Sequence, residues 1–268
     1  MGRVEGKVAF ITGAGRGQGR SHAIRLAEEG ADIIAVDVCH DYDSVGYPMS
    51  SAADLAETVK AVEALDRRIV ATEADVRDAT ALKNAVDSGV AELGRLDIVS
   101  ANAGICTVQP WDEVTPVVWQ DTLDTNLTGV WNTMVACAPH LIAAGGGSII
   151  CTSSTAGIKG TPFLAPYVAA KHGVVGIART MANELAVHNI RVNTVHPTGV
   201  DTPMLSGLGG LDPLIGGDPN LGPIFMNTLP VQMVDARDIS NAVLFLASDE
   251  ARYVTGLEFT VDAGNTTR

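Results

Sequence analysis

Near its start the chain reads Val8-Ala9-Phe10-Ile11-Thr12-Gly13-Ala14-Gly15-Arg16-Gly17-Gln18-Gly19-Arg20. The apolar run predicts a buried strand, and a helix is predicted after the glycine-rich loop, from Ser21 to Glu29. A second apolar run, Asp32 to Asp37, predicts the next strand of a βαβ unit. Glycines are needed in such a loop because a Cβ would block the positive φ of the turn and the approach of backbone N–H groups to a pyrophosphate. With an acidic residue ending the second strand, the pattern predicts a dinucleotide-binding site.

The choice between the two nicotinamide dinucleotides depends on Asp37 and Arg16. A carboxylate at Asp37 can accept hydrogen bonds from both ribose hydroxyls of NAD, whereas it would meet the 2′-phosphate of NADP with like charge. Arg16 argues the other way, because an arginine in the glycine loop could pair with that phosphate. We expect NAD, since a loop arginine can turn to solvent and a strand-end carboxylate cannot easily leave.

The rest of the chain alternates apolar strands with helices, which predicts one α/β domain over residues 1–268. Because the strands read as buried rather than as period-two strands, we expect a Rossmann-type, doubly wound parallel sheet with helices on both faces. Further strands are predicted at residues 69–74, 97–101, 148–152, 190–195 and 257–261, and helices at 52–65, from 115 onward, from 166 to 188, and at 235–247.

Two segments interrupt this alternation. Residues 38–51 form a loop insertion after the second strand, which we expect to fold over the adenine side of the cofactor; a solvated excursion is the alternative. Residues 203–234 are rich in Gly, Pro and Leu and are expected to form a substrate lid, since long loops beside strand ends commonly do so.

Other strand ends supply further expected cofactor contacts. Asp75 and Val76 close the third strand, where Asp75 is placed to meet the adenine amino group. The small residues of Asn102-Ala103-Gly104 would let the backbone pass close to the ribose.

A tyrosine and a lysine stand four residues apart in the segment Pro166-Tyr167-Val168-Ala169-Ala170-Lys171. Pro166 suits the first turn of a helix, so Tyr167 and Lys171 would share one face. A neighbouring ammonium favours the phenolate and lowers the pKa of a tyrosine from about 10, which makes Tyr167 a candidate general acid/base. Ser154 follows an apolar run, so its hydroxyl is expected at the carboxyl end of a strand, where open α/β sheets bind ligands.

The composition of the chain limits the kinds of partner that it could bind. The net charge of −13 and the pI near 4.7 argue against nucleic acid, whose phosphates need a basic surface. No apolar run reaches the length of a membrane span, so no membrane partner is expected. The four cysteines form no CxxC pair, and several stand in apolar runs, which predicts buried reduced thiols and a cytoplasmic location. No metal site is expected, because His40, Asp41 and Asp43 share one loop, where such residues are more often solvated.

Taken together, these motifs resemble the short-chain dehydrogenase/reductase family across nearly the whole chain. The family motifs stand here as Thr12, Gly13, Gly17 and Gly19, as Asn102, Ala103 and Gly104, as the helical Asn126, and as Ser154, Tyr167 and Lys171. The resemblance implies that Tyr167 is the acid/base and that Ser154 donates a hydrogen bond to the substrate oxygen. It implies that Lys171 holds the nicotinamide ribose and lowers the tyrosine pKa, and that Asn126 supports a proton-relay water.

The resemblance also implies that Val200 and Thr202 contact the carboxamide. The complete set of expected cofactor contacts is Gly13, Arg16, Gly17, Gln18, Gly19, Asp37, Asp75, Val76, Asn102, Ala103, Gly104, Tyr167, Lys171, Pro197, Val200 and Thr202.

One departure from the family pattern narrows the resemblance. The family usually has Pro-Gly after the sixth strand, whereas this chain has Pro197-Thr198-Gly199. With the loop sequence Gly-Arg-Gly-Gln-Gly-Arg, the insertion and His-Pro-Thr, the chain resembles the carveol-dehydrogenase-like, mycofactocin-coupled subgroup. That subgroup implies NAD held so tightly that an external redox carrier must re-oxidise bound NADH. The family implies a homotetramer built on two long helices.

The expected reaction is hydride transfer between NAD and a lipophilic secondary alcohol or ketone, such as a cyclic terpenoid of the carveol type. An apolar substrate pocket is expected from Ile105, Cys106, Val108, Trp111, Phe163, Leu164, Met204, Leu205 and Leu208. Two alternatives stay open. One is an NADP-dependent carbonyl reductase, which Arg16 would support. The other is a non-catalytic NAD-binding regulator, against which the intact Ser154, Tyr167 and Lys171 argue.

Overall fold

A parallel sheet of seven strands forms the centre of the computed structural model, which describes residues 2–209, 211–218 and 220–268. The strands lie in the order β3-β2-β1-β4-β5-β6-β7, and every neighbouring pair is parallel. They are β1 (Val8–Thr12), β2 (Asp32–Asp37), β3 (Ile69–Glu73), β4 (Ile98–Ala101), β5 (Gly147–Thr152), β6 (Ile190–Pro197) and β7 (Glu258–Val261). The predicted doubly wound α/β fold is therefore confirmed.

Helices cover both faces of the sheet. They are α1 (Gly17–Glu28), α2 (Ala52–Glu63), α3 (Ala79–Leu93), α4 (Pro116–Leu123), α5 (Gly129–Ala143), α6 (Ala165–Glu184), α7 (Pro203–Gly207), α8 (Leu211–Gly216), α9 (Gly222–Phe225) and α10 (Ala236–Ala247). No helix within the described residues combines the length and apolar character needed to cross a membrane.

Each face of the sheet has its own apolar core. Phe10 and Ile34 pack into one core, and Ile11 and Ile33 pack into the other. Successive side chains of a strand point to opposite faces, so strands covered on both sides must be apolar at every position. This burial explains why the strands lack a period-two pattern.

The strand order places a crevice beside β1. The chain leaves β1 toward β2 and β3 and then returns to β4 on the other side. The connections therefore diverge at the carboxyl ends of β1 and β4, which is where open α/β sheets bind ligands.

Two helices differ from their predicted bounds. The first, α1, begins at Gly17 instead of Ser21. A Cβ at Gly19 would lie 1.9 Å from the carbonyl oxygen of Gly13, so the loop packs directly against the first helical turn. The helix predicted from residue 115 is divided into α4 and α5 by a π-helical segment, Asp124–Thr128. Such segments are frequent at functional sites.

The predicted lid, residues 203–234, contains α7, α8 and α9. Gly210 and Pro219 of this segment, and Met1 of the predicted domain, lie outside the described residues.

Candidate active site

Two adjoining cavities open at the carboxyl ends of the strands. The first has a volume of about 120 Å³ and lies along the glycine loop, the end of β2 and the insertion. The second has a volume of about 440 Å³ and is lined by residues that follow β5, by α6 and by the lid. The residues that line both are Gln18, Asn102, Gly104, Thr202 and Met204. A ligand that spans both cavities would pass over these five.

The glycine loop forms a backbone cradle on the first cavity. Gly13 and Gly17 have φ values of 68° and 55°, in the region that favours glycine. A Cβ at Gly13 would lie 2.9 Å from the Cα of Ala103. Thr12 Oγ1 accepts hydrogen bonds from the backbone N–H groups of Asn102 (3.0 Å) and Ala103 (3.1 Å), which locks the ends of β1 and β4 together. A rigid cradle of backbone fits a pyrophosphate group.

Most predicted cofactor contacts line one of the two cavities. Those on the first cavity are Gly13, Arg16, Gly17, Gln18, Asp37, Val76, Asn102, Ala103 and Gly104. Those on the second cavity are Tyr167, Lys171, Pro197, Val200 and Thr202. Gly19 and Asp75 line neither, and Gly19 instead makes room for the carbonyl of Gly13.

Asp37 is buried at the end of β2 and lines the first cavity. Its Oδ2 accepts a hydrogen bond from the backbone N–H of Gly15 at 2.7 Å, and its Oδ1 accepts one from the Ser50 hydroxyl. A Cβ at Gly15 would lie 2.9 Å from this carboxylate. The glycine loop therefore holds the negative charge in place.

Asp75, which was predicted to meet the adenine amino group, is paired with an arginine of the protein. Its carboxylate accepts hydrogen bonds from the backbone N–H and the guanidinium of Arg77, at 2.9 and 2.8 Å. Arg77 also pairs with Asp121 at 3.0 Å and stacks 4.0 Å from the ring centre of Tyr42. The strong attraction of a guanidinium for a carboxylate explains this pairing, and the contact of Asp75 with adenine stays a prediction. Val76, the next residue, lines the first cavity.

The insertion packs against the body of the protein, so the alternative of a solvated excursion is wrong. Tyr42, Val45 and Tyr47 are buried in a small core with Ile105. The Ser44 hydroxyl donates to Asp121 at 2.6 Å.

Tyr47 and Arg16 tie this segment to the site. Tyr47 Oη accepts a hydrogen bond from the backbone N–H of Cys106 at 3.1 Å, and Arg16 donates to the carbonyl of Pro48 at 2.5 Å. Tyr42 and Tyr47 both line the first cavity, and the sequence reading did not single them out. Two tyrosines within the insertion were the available signal.

Ser154, Tyr167 and Lys171 converge on the second cavity, as predicted. Lys171 is buried, and its Nζ donates to the carbonyl of Thr152 at 2.8 Å. The same Nζ lies 5.4 Å from the ring centre of Tyr167. A Cβ at Gly104 would lie 2.9 Å from Oδ1 of Asn126, so the glycine makes room for that amide.

The predicted acidification of Tyr167 by Lys171 does not hold in the protein alone. Burial raises the pKa of Tyr167 well above its ordinary value of 10, and the Ser154 hydroxyl only partly opposes this rise. Burial also lowers the pKa of Lys171 to about 8. Both shifts arise because a site poor in water disfavours each charged form.

Asn126 and His196 position the groups around this cluster. The side chain of Asn126, within the π-helical segment, accepts from the N–H of Ile105 (2.8 Å) and donates to its carbonyl (2.7 Å). Its side chain is therefore engaged in holding the loop after β4. The Nδ1 atom of His196 lies 2.8 Å from the carbonyl of Ser154, and burial lowers the pKa of this histidine.

Six of the nine predicted pocket residues line the second cavity: Cys106, Val108, Leu164, Met204, Leu205 and Leu208. Ile105 instead packs beneath the insertion, and Trp111 is 84% exposed. Phe163 does not line the cavity, and its carbonyl accepts from the N–H of Gln109 at 3.0 Å. The sequence reading missed several polar wall residues: Lys159, Thr161, Gln232 and Asn265. Only the fold brings these four to one cavity.

Comparisons with known proteins agree with this geometry. A family model for the short chain dehydrogenases matches residues 7–209. The (-)-trans-carveol dehydrogenase of Rhodococcus erythropolis is 51% identical over 276 residues, which cover 99% of each chain. The crystal structure of carveol dehydrogenase from Mycobacterium avium in complex with NAD is 54% identical, with a TM-score of 0.93 and full coverage of both chains. A short chain dehydrogenase from Mycobacterium paratuberculosis bound to NAD is 50% identical, with a TM-score of 0.96 and full coverage.

Proposed function

The chain belongs to the short-chain dehydrogenase family, and from this we propose that it is an NAD-dependent enzyme that interconverts a lipophilic secondary alcohol and the corresponding ketone. The convergence of Ser154, Tyr167 and Lys171 on a cavity that adjoins the dinucleotide cradle carries the proposal. A binding regulator would have no use for an acid/base group at that junction.

The proposed chemistry assigns one task to each of the three residues. The Ser154 hydroxyl donates a hydrogen bond to the substrate oxygen, and Tyr167, as phenolate, takes the hydroxyl proton during alcohol oxidation. Lys171 keeps a positive charge near neutral pH, because a pKa of about 8 leaves it mostly protonated. NAD, when bound, supplies the hydride acceptor and a further positive charge. Tyr167 needs that charge, since the protein alone raises its pKa.

Several residues favour NAD over NADP. Asp37 presents a carboxylate to the first cavity, where a 2′-phosphate would meet like charge. Arg16, on which the NADP alternative rested, donates to the carbonyl of Pro48 in the insertion. The two similar solved structures both contain NAD.

The substrate we propose is a cyclic secondary alcohol of the terpenoid type. The second cavity has apolar walls from Val108, Leu164, Leu205 and Leu208, and burying such surface favours a lipophilic ring. The relatives named carveol dehydrogenase support this choice.

We further propose that the insertion retains the cofactor so firmly that an external redox carrier, of the mycofactocin type, re-oxidises bound NADH. Tyr42 and Tyr47 are buried in its small core while lining the first cavity, and Ser44 bonds it to α4 through Asp121. Release of the cofactor would then require several of these contacts to open together.

We propose a homotetramer in the cytoplasm. Val117, Trp119, Trp131 and Val135 expose apolar surface on α4 and α5, which suits contact with another copy of the chain. Cys106, Cys137 and Cys151 are buried free thiols, which suits a reducing compartment.

The direct test is to identify what the purified protein carries. The protein is denatured, and the released small molecule is examined by absorbance and mass spectrometry. The proposal predicts NAD or NADH in near-stoichiometric amount. Recovery of NADP instead would support the carbonyl reductase alternative and contradict the assigned role of Asp37.

A further inference from the structure

Lys159 places a cation in the wall of the second cavity, outside the cluster that performs the proposed chemistry. It lines this cavity together with Ser154 and Tyr167. Its Nζ donates hydrogen bonds to the carbonyl of Ile224 in the lid at 2.8 Å and to that of Asn265 near the C-terminus at 2.7 Å. An ammonium has three N–H donors, so one remains for another acceptor.

This cation forms no ion pair with a carboxylate among the described side chains. The charge of Asp262 acts to raise the pKa of Lys159. The oxygens of Asp262, however, accept hydrogen bonds from the N–H of Gly264 and from the N–H and hydroxyl of Thr266. Burial lowers the pKa of Lys159, as expected when carbonyl dipoles replace water without a full counter-charge.

Thr161 also lines the second cavity. The hydroxyl oxygen of Thr161 is shielded from solvent and has no hydrogen-bond partner among the described residues. Buried hydroxyls normally have a hydrogen-bond partner, and a buried hydroxyl without a hydrogen bond costs free energy. Leu164, Ile224 and Phe225 line this cavity as well. Such apolar surroundings strengthen any charge–charge contact made there.

We propose that Lys159 and Thr161 form a carboxylate subsite, so that among cyclic alcohols and ketones the enzyme prefers those that also carry an acid group. A carboxylate has two oxygens, one for the remaining ammonium N–H and one for the Thr161 hydroxyl, which would reach it by rotation of the side chain. It also supplies the negative charge that Lys159 lacks. This inference rests on the proposed function, because it takes the second cavity as the place of the substrate. The preferred substrate class is therefore a hydroxy or oxo acid with an apolar ring.

The test compares the binding of a charged and a neutral ligand of the same shape. Isothermal titration calorimetry of the holoenzyme measures the affinities for cyclohexanecarboxylate and cyclohexanecarboxamide. The wild type should bind the carboxylate about tenfold more tightly or better, as one charge-assisted contact allows. Lys159→Gln should remove this preference, and Thr161→Val should reduce it. Lys60→Gln is the matched control, because Lys60 is exposed on α2 and pairs with Glu57.

Because the readout is a ratio of two ligands, a general weakening of the lid in Lys159→Gln changes both affinities and leaves the ratio alone. If the ratio of the two affinities is unchanged in Lys159→Gln, Lys159 only ties the lid to the C-terminal segment. Equal affinities for the two ligands in the wild type would lead to the same conclusion. Oxidation of cyclohexanol by the wild type tests the proposed function separately. Turnover of cyclohexanol without a carboxylate preference would overturn the subsite alone, and a carboxylate preference without any turnover would overturn the alcohol chemistry alone.

Discussion

Burial works against the chemistry proposed for Tyr167. The phenol and the Lys171 ammonium share a site poor in water, which raises the pKa of Tyr167 and lowers that of Lys171 to about 8. The spacing of the two residues predicts their mutual attraction, whereas the desolvation that opposes it depends on how the fold buries them. Each unit of pKa corresponds to about 1.4 kcal/mol, so the positive charge of bound NAD⁺ has to supply much of the difference.

Asp37 gives a prediction that isolates charge from shape. Asp37→Asn keeps an acceptor for the N–H of Gly15 and removes the negative charge. The preference for NAD over NADP should fall about tenfold or more, because the like-charge repulsion of a 2′-phosphate is gone. The measurement is the ratio of Kd values for the two dinucleotides.

Asp75→Asn is the matched control, since Asp75 also follows a strand but pairs with Arg77. It should leave the ratio unchanged. Equal ratios in the wild type and Asp37→Asn would refute the role of Asp37.

The sequence predicted Ser154, Tyr167, Lys171 and Asp37 because spacing and strand ends are local properties. It did not predict the pairing of Asp75 with Arg77 or the exposure of Trp111, which is 84% exposed. Neither the orientation of a side chain nor its exposure follows from the spacing of residues along the chain.

Among the elements, the contact between the insertion and the lid offers a sharp test. A Cβ at Gly207, in α7, would lie 2.5 Å from the Cβ of Tyr47, whereas a Cβ at Gly209 would meet nothing within 4 Å. Gly207→Ala should therefore separate the two segments and increase the rate of NAD dissociation at least several-fold. Stopped-flow dilution of the holoenzyme measures that rate.

Gly209→Ala is the control and should behave as the wild type. Identical dissociation rates for both variants would mean that the insertion and lid do not retain the cofactor together.

A buried histidine links helices α1 and α10. His22 Nδ1 lies 2.8 Å from the hydroxyl of Ser240, and burial lowers the pKa of His22 to about 3. The unfolded chain binds a proton near pH 6.5, so the contribution of neutral His22 is complete above that pH and is lost as the pH falls toward 3.

Between pH 7.5 and 5 this loss should cost the wild type roughly 2 kcal/mol, or about 5 °C in Tm, relative to His22→Gln, which does not titrate. Thermal unfolding of both proteins at the two pH values tests this expectation. A constant difference in Tm would show that His22 is not the titrating group.

The boundaries of helices and strands were predictable where apolar runs end. They were less predictable where close packing of the backbone sets the boundary. The start of α1 at Gly17 follows from close contact between Gly13 and Gly19, and the π-helical segment around Asn126 follows from its bonds to Ile105. Neither contact can be recognised from the periodicity of apolar residues in the sequence.

Across the whole molecule, the strand order brings distant segments to one edge of the sheet. β1, β4, β5 and β6 each end at the two cavities. The alternation of strands and helices was enough to predict this arrangement, because parallel strands all end on the same side.

The proposed tetramer predicts the effect of a charge on α5. Val135 is 48% exposed on the same helix as Trp131 and Ile142, which are also exposed. Val135→Asp should break the contact between copies and lower the mass measured by light scattering, because a buried unpaired carboxylate is costly. Ala56→Asp, on the exposed face of α2, is the control and should keep the assembly. An unchanged mass in Val135→Asp would exclude this face as the interface.

The central claim is that Tyr167 transfers the substrate proton beside a bound NAD. The most direct measurement is the rise in absorbance at ~340 nm, which reports NADH, when carveol is added to holoenzyme that carries equal amounts of NAD as wild type and as Tyr167→Phe. The account predicts a rise in the wild type and in the control Tyr253→Phe, whose ring is 89% exposed, and a loss of at least about 100-fold in rate in Tyr167→Phe. An equal rate of rise in Tyr167→Phe and in the wild type would contradict it.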